Sequence, residues 1–261
     1  MRRSFTLASL FILIVSTTSA QATALSRVGE IPSCTERSSD LSKELLATLI
    51  RVEGEVDQQE IDQYHQQLTE FLSRLRRKQQ KYKSERRFLS YFFYKVHRQF
   101  LKHYRAHTTL YDLMEKGDYD CVTGSALYAL LLDGLGFTYQ IHEFPYHVYL
   151  TVTTADQDTL LIESTDPLAG FVSDATEQKK RFDHYSQHPQ DANAGYQYSF
   201  TIQENIGLVE LAGLSYFNEA VAYYNHQEFQ QALRWLRQAE HLYDSPRMEA
   251  FMRLVTNLAH N

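Results

Sequence analysis

Three kinds of side chain that can act together on an acyl carbon lie within 46 residues of one another along the chain. Cys121 is in the segment 117–127, His147 comes twenty-six residues later, and Glu163 and Asp166 follow. A thiolate attacks a carbonyl carbon, an imidazole takes and returns a proton, and a carboxylate orients the imidazole. The combination therefore predicts nucleophilic chemistry at Cys121.

The elements expected around these residues would hold them in suitable places. Residues 121–135 have the apolar pattern of a helix, so Cys121 is predicted in its first turn, where the amides and the helix dipole favour a thiolate. Alternating or β-branched residues predict strands at 137–142, 147–152 and 160–162, with a hairpin turn at 154–158. His147 is thus expected at the start of a strand, and the two acids after the return strand.

This order of Cys, His and acid resembles the transglutaminase-like superfamily of papain-type folds over about residues 85–172. The resemblance implies that Cys121 is the nucleophile, that His147 is base and acid, and that Glu163 or Asp166 is the orienting carboxylate. Asp166 matches the family's Asp before Pro, whereas Glu163 matches its spacing from the His, and it is slightly favoured. The family usually has a bulky residue beside the Cys, and here Asp120 and Val122 flank it.

Other residues near this set are secondary candidates for the site. Gln140, one strand earlier, is a candidate donor to an oxyanion, and Tyr146 is a candidate for lining the cleft. The histidines at 142, 147, 184 and 188 could form a zinc site with an acid, but their spacing follows no recurring ligand pattern. We therefore expect no metal and no organic cofactor.

Two helical regions flank the predicted catalytic segment. From Leu41 to about Met114 apolar residues recur at steps of three and four, as in the sets Ile61, Tyr64, Leu68, Phe71, Leu72, Leu75 and Phe88, Tyr91, Phe92, Val96, Phe100. Residues 173–198 are polar and are predicted to be a loop-rich cover or insertion. Residues 201–261 resemble one tetratricopeptide unit, a hairpin of two helices, on the pattern Tyr216, Ala220, Tyr223, Phe229, Ala232, Leu236 and Ala239, with Pro246 near its end.

The N-terminus has the pattern of an export signal. A basic start, an apolar run from Phe5 to Val15 and small residues near Ala20 predict a cleavable signal peptide over 1–20, followed by a linker over 21–40. The mature protein is expected in the periplasm or the medium, without stable membrane insertion. In such a compartment Cys34 and Cys121 could pair.

Composition narrows the class of protein further. Thirty-three Tyr and Phe residues argue against disorder, and the formal net charge of −6 argues against a nucleic-acid binder. A basic stretch between residues 74 and 87 is interpreted as a solvated helix face or turn. The predicted fold class is α+β: a Cys-bearing helix on a small antiparallel sheet, with a helical N-terminal region and C-terminal tetratricopeptide-like helices.

Two functions fit this sequence. The first is an exported cysteine enzyme, a peptidase or amidase, that cleaves a peptide or amide bond of a peptide or protein substrate through a thioester at Cys121. The second is a non-catalytic interaction or assembly protein that binds a protein partner through its C-terminal helices. An intact Cys–His–acid set favours the first, because a scaffold does not need all three.

Overall fold

The computed structural model describes residues 41–50, 56–187 and 204–260. The helices of this part of the chain are Lys43–Ile50 (α1), Gln58–Gln79 (α2), Glu85–Phe100 (α3), Leu110–Lys116 (α4), Cys121–Gly134 (α5), Ala175–Gln187 (α6), Leu208–Asn225 (α7), Phe229–Leu242 (α8) and Pro246–Ala259 (α9). The strands are His103–Tyr104 (β1), Asp118–Tyr119 (β2), Thr138–Phe144 (β3), His147–Thr153 (β4), Thr159–Ile162 (β5), Phe171–Val172 (β6) and Glu204–Ile206 (β7). Helices and one main sheet are thus combined in an α+β arrangement.

The main sheet has five antiparallel strands in the order β6-β5-β4-β3-β7. A tight turn joins β3 to β4, so that Phe144 pairs with His147, and Ile162 at the end of β5 pairs with Leu150. Successive side chains of a strand point to opposite faces of a sheet. Leu150 and Ile162 accordingly belong to the main core, whereas Tyr149 belongs to a smaller apolar cluster on the other face.

Helix α5 passes through the main core and contacts α7, β3 and β4. Its side chains are apolar on every side, and all its residues are buried except Cys121 and Asp133. A helix of that kind needs cover all round. At its C-terminal end, the guanidinium of Arg76 donates to the carbonyl of Gly134 at 2.8 Å, and Gly136 turns the chain with φ +77°. The predicted helix 121–135 therefore agrees with α5 to within one residue.

The N-terminal helical region has the predicted inward faces. The six residues of α2 chosen by their spacing, from Ile61 to Leu75, are all buried. In α3 the predicted face is buried except for Tyr91, which is half-buried. The run is interrupted before Met114 by β1, which pairs in parallel with β2 just ahead of α5.

The segment 173–198 differs from its prediction as a loop-rich region. Its first part forms the helix α6, and residues 188–198 lie outside the described part of the chain. One face of α6 packs on the sheet: Phe182 and Tyr185 both contact Phe144, and Tyr185 belongs to the smaller apolar cluster. These two aromatic residues contact the sheet from a helix whose other side chains are almost all polar.

The C-terminal region contains a third helix in addition to the predicted hairpin. Helices α7 and α8 pack together through the small buried residues Ala220, Ala232 and Ala239. Pro246, expected near the end of a repeat, is instead the first residue of α9, a position that proline favours because its missing N–H is not needed there. The described residues from Leu41 onward form one compact unit, in which α7 contacts both α1 and α5.

The predicted signal peptide and linker, residues 1–20 and 21–40, lie outside the described residues. Among the helices that are described, none is long and apolar enough to cross a membrane.

Candidate active site

Cys121 is the first residue of α5, and its position is set by a reciprocal cap. The carboxylate of Asp120 accepts from the Thr123 amide at 2.8 Å, and the Thr123 hydroxyl accepts from the Asp120 amide at 2.9 Å. Such a capping box satisfies two backbone donors and defines where the helix begins. The thiol of Cys121 is free and half-buried, and the first amides of the helix lie beside it.

His147 begins β4 directly after the turn, and its imidazole is paired with an acid. The distance from its Nε2 to Oε2 of Glu163 is 2.5 Å, and the side chains are 13% and 1% exposed. A carboxylate only accepts hydrogen bonds, so Nε2 is the protonated nitrogen. In the neutral imidazole Nδ1 therefore carries the lone pair that can take a proton.

Glu163 follows the last residue of β5 and accepts hydrogen bonds at both oxygens. The amide and hydroxyl of Thr165 donate to Oε1 at 3.1 and 2.7 Å, and the hydroxyl of Tyr185 donates to Oε2 at 3.1 Å. Burial acts to raise the pKa of Glu163, but the hydrogen bonds from His147 and Thr165 outweigh it, and the pKa is lowered. The group is thus a carboxylate at neutral pH.

Asp166, the other candidate acid, does not contact the imidazole. Its carboxylate accepts from the amides of Leu168 and Ala169 at 3.2 and 2.8 Å and forms an ion pair with Arg181 at 2.9 Å. These bonds hold the loop after β5 against α6. Of the two acids left open by the sequence, the structure brings Glu163 to His147 and places Asp166 in a structural role.

Tyr185 on α6 is a site residue that sequence reasoning missed. Its ring stacks on that of His147, with centroids 4.0 Å apart and an interplanar angle of 21°. Burial raises the pKa of Tyr185, and the nearby Glu163 carboxylate adds to the effect, so the hydroxyl remains a donor. Only the spacing of Phe182 and Tyr185, three residues apart in an otherwise polar segment, could have indicated that this face contacts the sheet.

Cys121 and His147 line the same open cavity, which has a volume of about 230 Å³. The thiol interacts with the backbone of Val148, the residue after His147, and the Ser125 hydroxyl contacts the Val148 carbonyl at 3.4 Å. Helix α5 therefore meets β4 at the residue next to the imidazole. Tyr146 lines the cavity as predicted.

Gln140 does not reach this cavity. It is an exposed residue of β3 opposite Thr151, four positions along β4 from His147. A strand advances about 3.3 Å per residue, which places Gln140 too far away to serve an oxyanion at Cys121. The first amides of α5, those of Cys121 and Val122, are the better candidates for that role.

The electrostatic surroundings of the thiol differ from the expectation of a stabilised thiolate. Burial raises the pKa of Cys121, and the carboxylates of Asp120 and Glu163 raise it further. Backbone hydrogen bonds from Val148 and Cys121 lower it by less. The resting group is therefore a neutral thiol, mainly because it is buried and also because two carboxylates, one of them the cap of the same helix, lie nearby.

Two other histidines considered for a zinc site, His142 and His184, contact groups outside the cavity. Nε2 of His142 lies 2.8 Å from the Thr151 hydroxyl, and the ring of His184 packs edge-on against Tyr185. His188 and Cys34 lie outside the described residues. Within the described ranges, no three His, Cys, Asp or Glu side chains are grouped so that they could hold a metal ion.

Comparison of the chain with protein-family models, curated proteins and solved structures finds no match. The geometry of the site is therefore the basis for assigning a function.

Proposed function

We propose that the protein is an exported cysteine enzyme with a transglutaminase-like, papain-type core, which transfers an acyl group from a peptide or amide through a thioester at Cys121. The single observation that carries the proposal is the buried Glu163–His147 pair beside the cavity that Cys121 also lines. A buried carboxylate on Nε2 leaves Nδ1 as the base, as cysteine acyl transfer requires.

The reaction begins from a neutral thiol. As Sγ of Cys121 bonds to the carbonyl carbon, its proton passes to Nδ1 of His147, and Glu163 stabilises the imidazolium. The amides at the start of α5 hold the oxyanion. When the carbon–nitrogen bond breaks, the imidazolium returns its proton to the departing amine, leaving a thioester. Water then attacks the thioester and gives a proton to His147, which returns it to the sulfur as the acid is released. An amine that attacks in place of water gives a new amide.

The proposal is tested by trapping the acyl-enzyme. The purified protein carrying Cys34→Ser is mixed with p-nitrophenyl acetate, quenched in acid and analysed by intact mass, with and without a primary amine. We expect one acetyl group on Cys121, faster release of nitrophenolate than of acetate, and no adduct in Cys121→Ala. His147→Ala should slow acylation by about 100-fold or more.

Two further variants make the test specific. Glu163→Gln should slow acylation by at least about tenfold, whereas Asp166→Asn, a nearby acid on the same loop, should leave it unchanged. Because the pKa of Cys121 is raised above its ordinary value of 9.0, acylation of His147→Ala should still rise with pH beyond that value. Equal acylation of His147→Ala and the parent protein at neutral pH would refute the proposal.

The alternative, a non-catalytic assembly protein with a protein partner for its C-terminal helices, is favoured by one observation. Burial and two carboxylates raise the pKa of Cys121, as in an unreactive structural cysteine. Absence of any adduct over the whole pH range would select this alternative.

We infer the periplasmic or secreted location from residues 1–20 alone. Fusion of residues 1–40 to a reporter that is active only outside the cytoplasm tests it: activity, with loss of the first 20 to 22 residues, is the expected result.

A further inference from the structure

Helix α7 contributes an apolar wall to the cavity that contains Cys121. Leu214, Phe217 and Val221 are three and four residues apart, so they share one face of the helix, and all three line the cavity. Leu214 and Phe217 are almost fully buried, and Val221 and Asn218 are half-buried. The catalytic segment alone therefore does not form the binding site.

Apart from histidines, one acidic and one basic side chain line the cavity, and both are engaged within the protein. Arg247 forms an ion pair with Glu143 at 3.0 Å and donates to the carbonyls of Phe144 and Pro145. Asp120 is buried and caps α5. A charged ligand group placed here would lose its hydration without gaining a counter-charge, which is unfavourable.

The residues that line the cavity differ in exposure. Leu214 and Phe217 of α7 are almost fully buried, whereas Tyr104 and Tyr146 are 58% and 48% exposed. In acyl transfer the acyl part stays bound through two steps, while the amine leaves and water must enter. The amine therefore belongs beside the exposed lining residues, and the acyl part belongs beside the buried ones on α7.

We infer that α7 forms the acyl-side pocket and that the substrate carries an uncharged aliphatic or aromatic group beside the carbonyl that Cys121 attacks. This inference rests on the proposed function and names the substrate class of the same site. Asn218, the polar residue of this wall, can hydrogen-bond an amide that precedes that group.

The inference is tested with covalent probes that do not require turnover. N-acetyl-aminoacyl chloromethyl ketones with Leu, Phe, Asp and Lys side chains are compared on the Cys34→Ser protein. In each, the sulfur bonds to the methylene carbon and chloride leaves. The second-order rate of alkylation by each probe is divided by the iodoacetamide rate of the same protein. The iodoacetamide rate reports the intrinsic reactivity of the thiol. Leu and Phe probes should react about tenfold or more faster than Asp and Lys probes.

Variants of α7 test whether this helix causes the preference for the Leu and Phe probes. Val221→Asp should abolish it, whereas Val209→Asp, at an exposed position of the same helix, should retain it. Val221→Phe keeps the wall apolar but narrows the pocket, so it should slow the Phe probe more than the Leu probe. This variant replaces Val221→Asp in the test if Val221→Asp does not fold.

The outcomes separate the two proposals. Equal rates for all four probes, or faster rates for the charged ones, would overturn the pocket while acetyl-enzyme formation could still stand. A Leu and Phe preference that survives Val221→Asp and is unchanged in Val221→Phe would also overturn it. Failure of acetyl-enzyme formation together with a preference that Val221 controls would leave an apolar binding pocket without the proposed catalysis.

Discussion

The ring of Tyr185 lies against the imidazole of His147, with centroids 4.0 Å apart, and its hydroxyl donates to the same Glu163 oxygen that the imidazole contacts. Tyr185 thus covers one face of the imidazole and adds a hydrogen bond to the carboxylate of Glu163. Electrostatic interactions strengthen where water is excluded, so the cover should strengthen the pair.

Tyr185→Phe and Tyr185→Ala should separate these two contributions. Phe keeps the stack and removes one hydrogen bond to a charged group, which costs about 1.5–3 kcal/mol of unfolding free energy. Ala also exposes the imidazole and should slow acetylation further than Phe does. Urea unfolding and acylation rates measure the two effects. Tyr94→Phe, which loses a surface hydrogen bond to the Leu168 carbonyl, is the control; an equal effect of Tyr185→Phe and Tyr94→Phe on acylation would contradict the positioning role.

The lowered pKa of Glu163 predicts how stability depends on pH. An acid with a lowered folded pKa stabilises the protein above its ordinary value, here 4.5, and this contribution disappears as the pH falls through the folded value. Glu163→Gln should therefore cost about 1–3 kcal/mol at pH 7 and less at about pH 3. Urea midpoints across this range measure the difference. Asp166→Asn, at a partly exposed pair, should cost only about 1 kcal/mol or less; a constant Glu163→Gln deficit at every pH would contradict the assignment.

Gly124 allows α5 to approach the loop that carries Glu163. A methyl group at this position would lie 2.7 Å from Oγ and 2.8 Å from Cβ of the fully buried Ser164. Gly124→Ala should destabilise the protein by about 1–3 kcal/mol and slow acylation, and adding Ser164→Gly should restore part of both.

Gly134 provides a comparison in the same helix. A methyl group there would meet the end of the flexible Leu72 side chain, so Gly134→Ala should be tolerated better than Gly124→Ala. If both variants unfold at the same urea concentration and acylate equally, the contact of Gly124 with Ser164 has no special role.

The buried Arg247–Glu143 pair gives a fourth prediction. Arg247→Met should cost about 3–5 kcal/mol at neutral pH because it leaves a carboxylate buried without its partner. Burial already raises the pKa of Glu143, and removing Arg247 raises it more. An acid with a raised folded pKa destabilises the protein as the pH rises, so the deficit should shrink towards pH 4.5, the ordinary value.

Urea unfolding of Arg247→Met at several pH values measures this trend. The double variant Glu143→Gln, Arg247→Met should be more stable at neutral pH than Arg247→Met alone. A deficit that grows on acidification would contradict the explanation.

Local patterns suffice to predict the elements that hold Cys121 and His147. Helix α5 and strand β4 begin at these residues, since a polar cap precedes one and a tight turn the other. The end of β5 at Ile162 follows from the local pattern, but the choice between Glu163 and Asp166 also depends on the ion pair of Asp166 with Arg181 of α6, which no local pattern contains. Tyr185 and Arg247 could not be predicted either, because each is brought to the site by the packing of a helix that is distant along the chain from Cys121 and His147.

The short strand β7 makes the C-terminal helices inseparable from the sheet. It pairs with β3 from Ile141 to Glu143, and the Tyr243 hydroxyl lies within hydrogen-bond distance of the carboxylates of both Glu143 and Glu204. A chain that stopped before residue 204 would leave the amides and carbonyls of β3 open to strand addition by another molecule. We expect such a fragment to aggregate rather than to persist as a smaller folded protein, because β7 covers the edge of β3 that the fragment would expose.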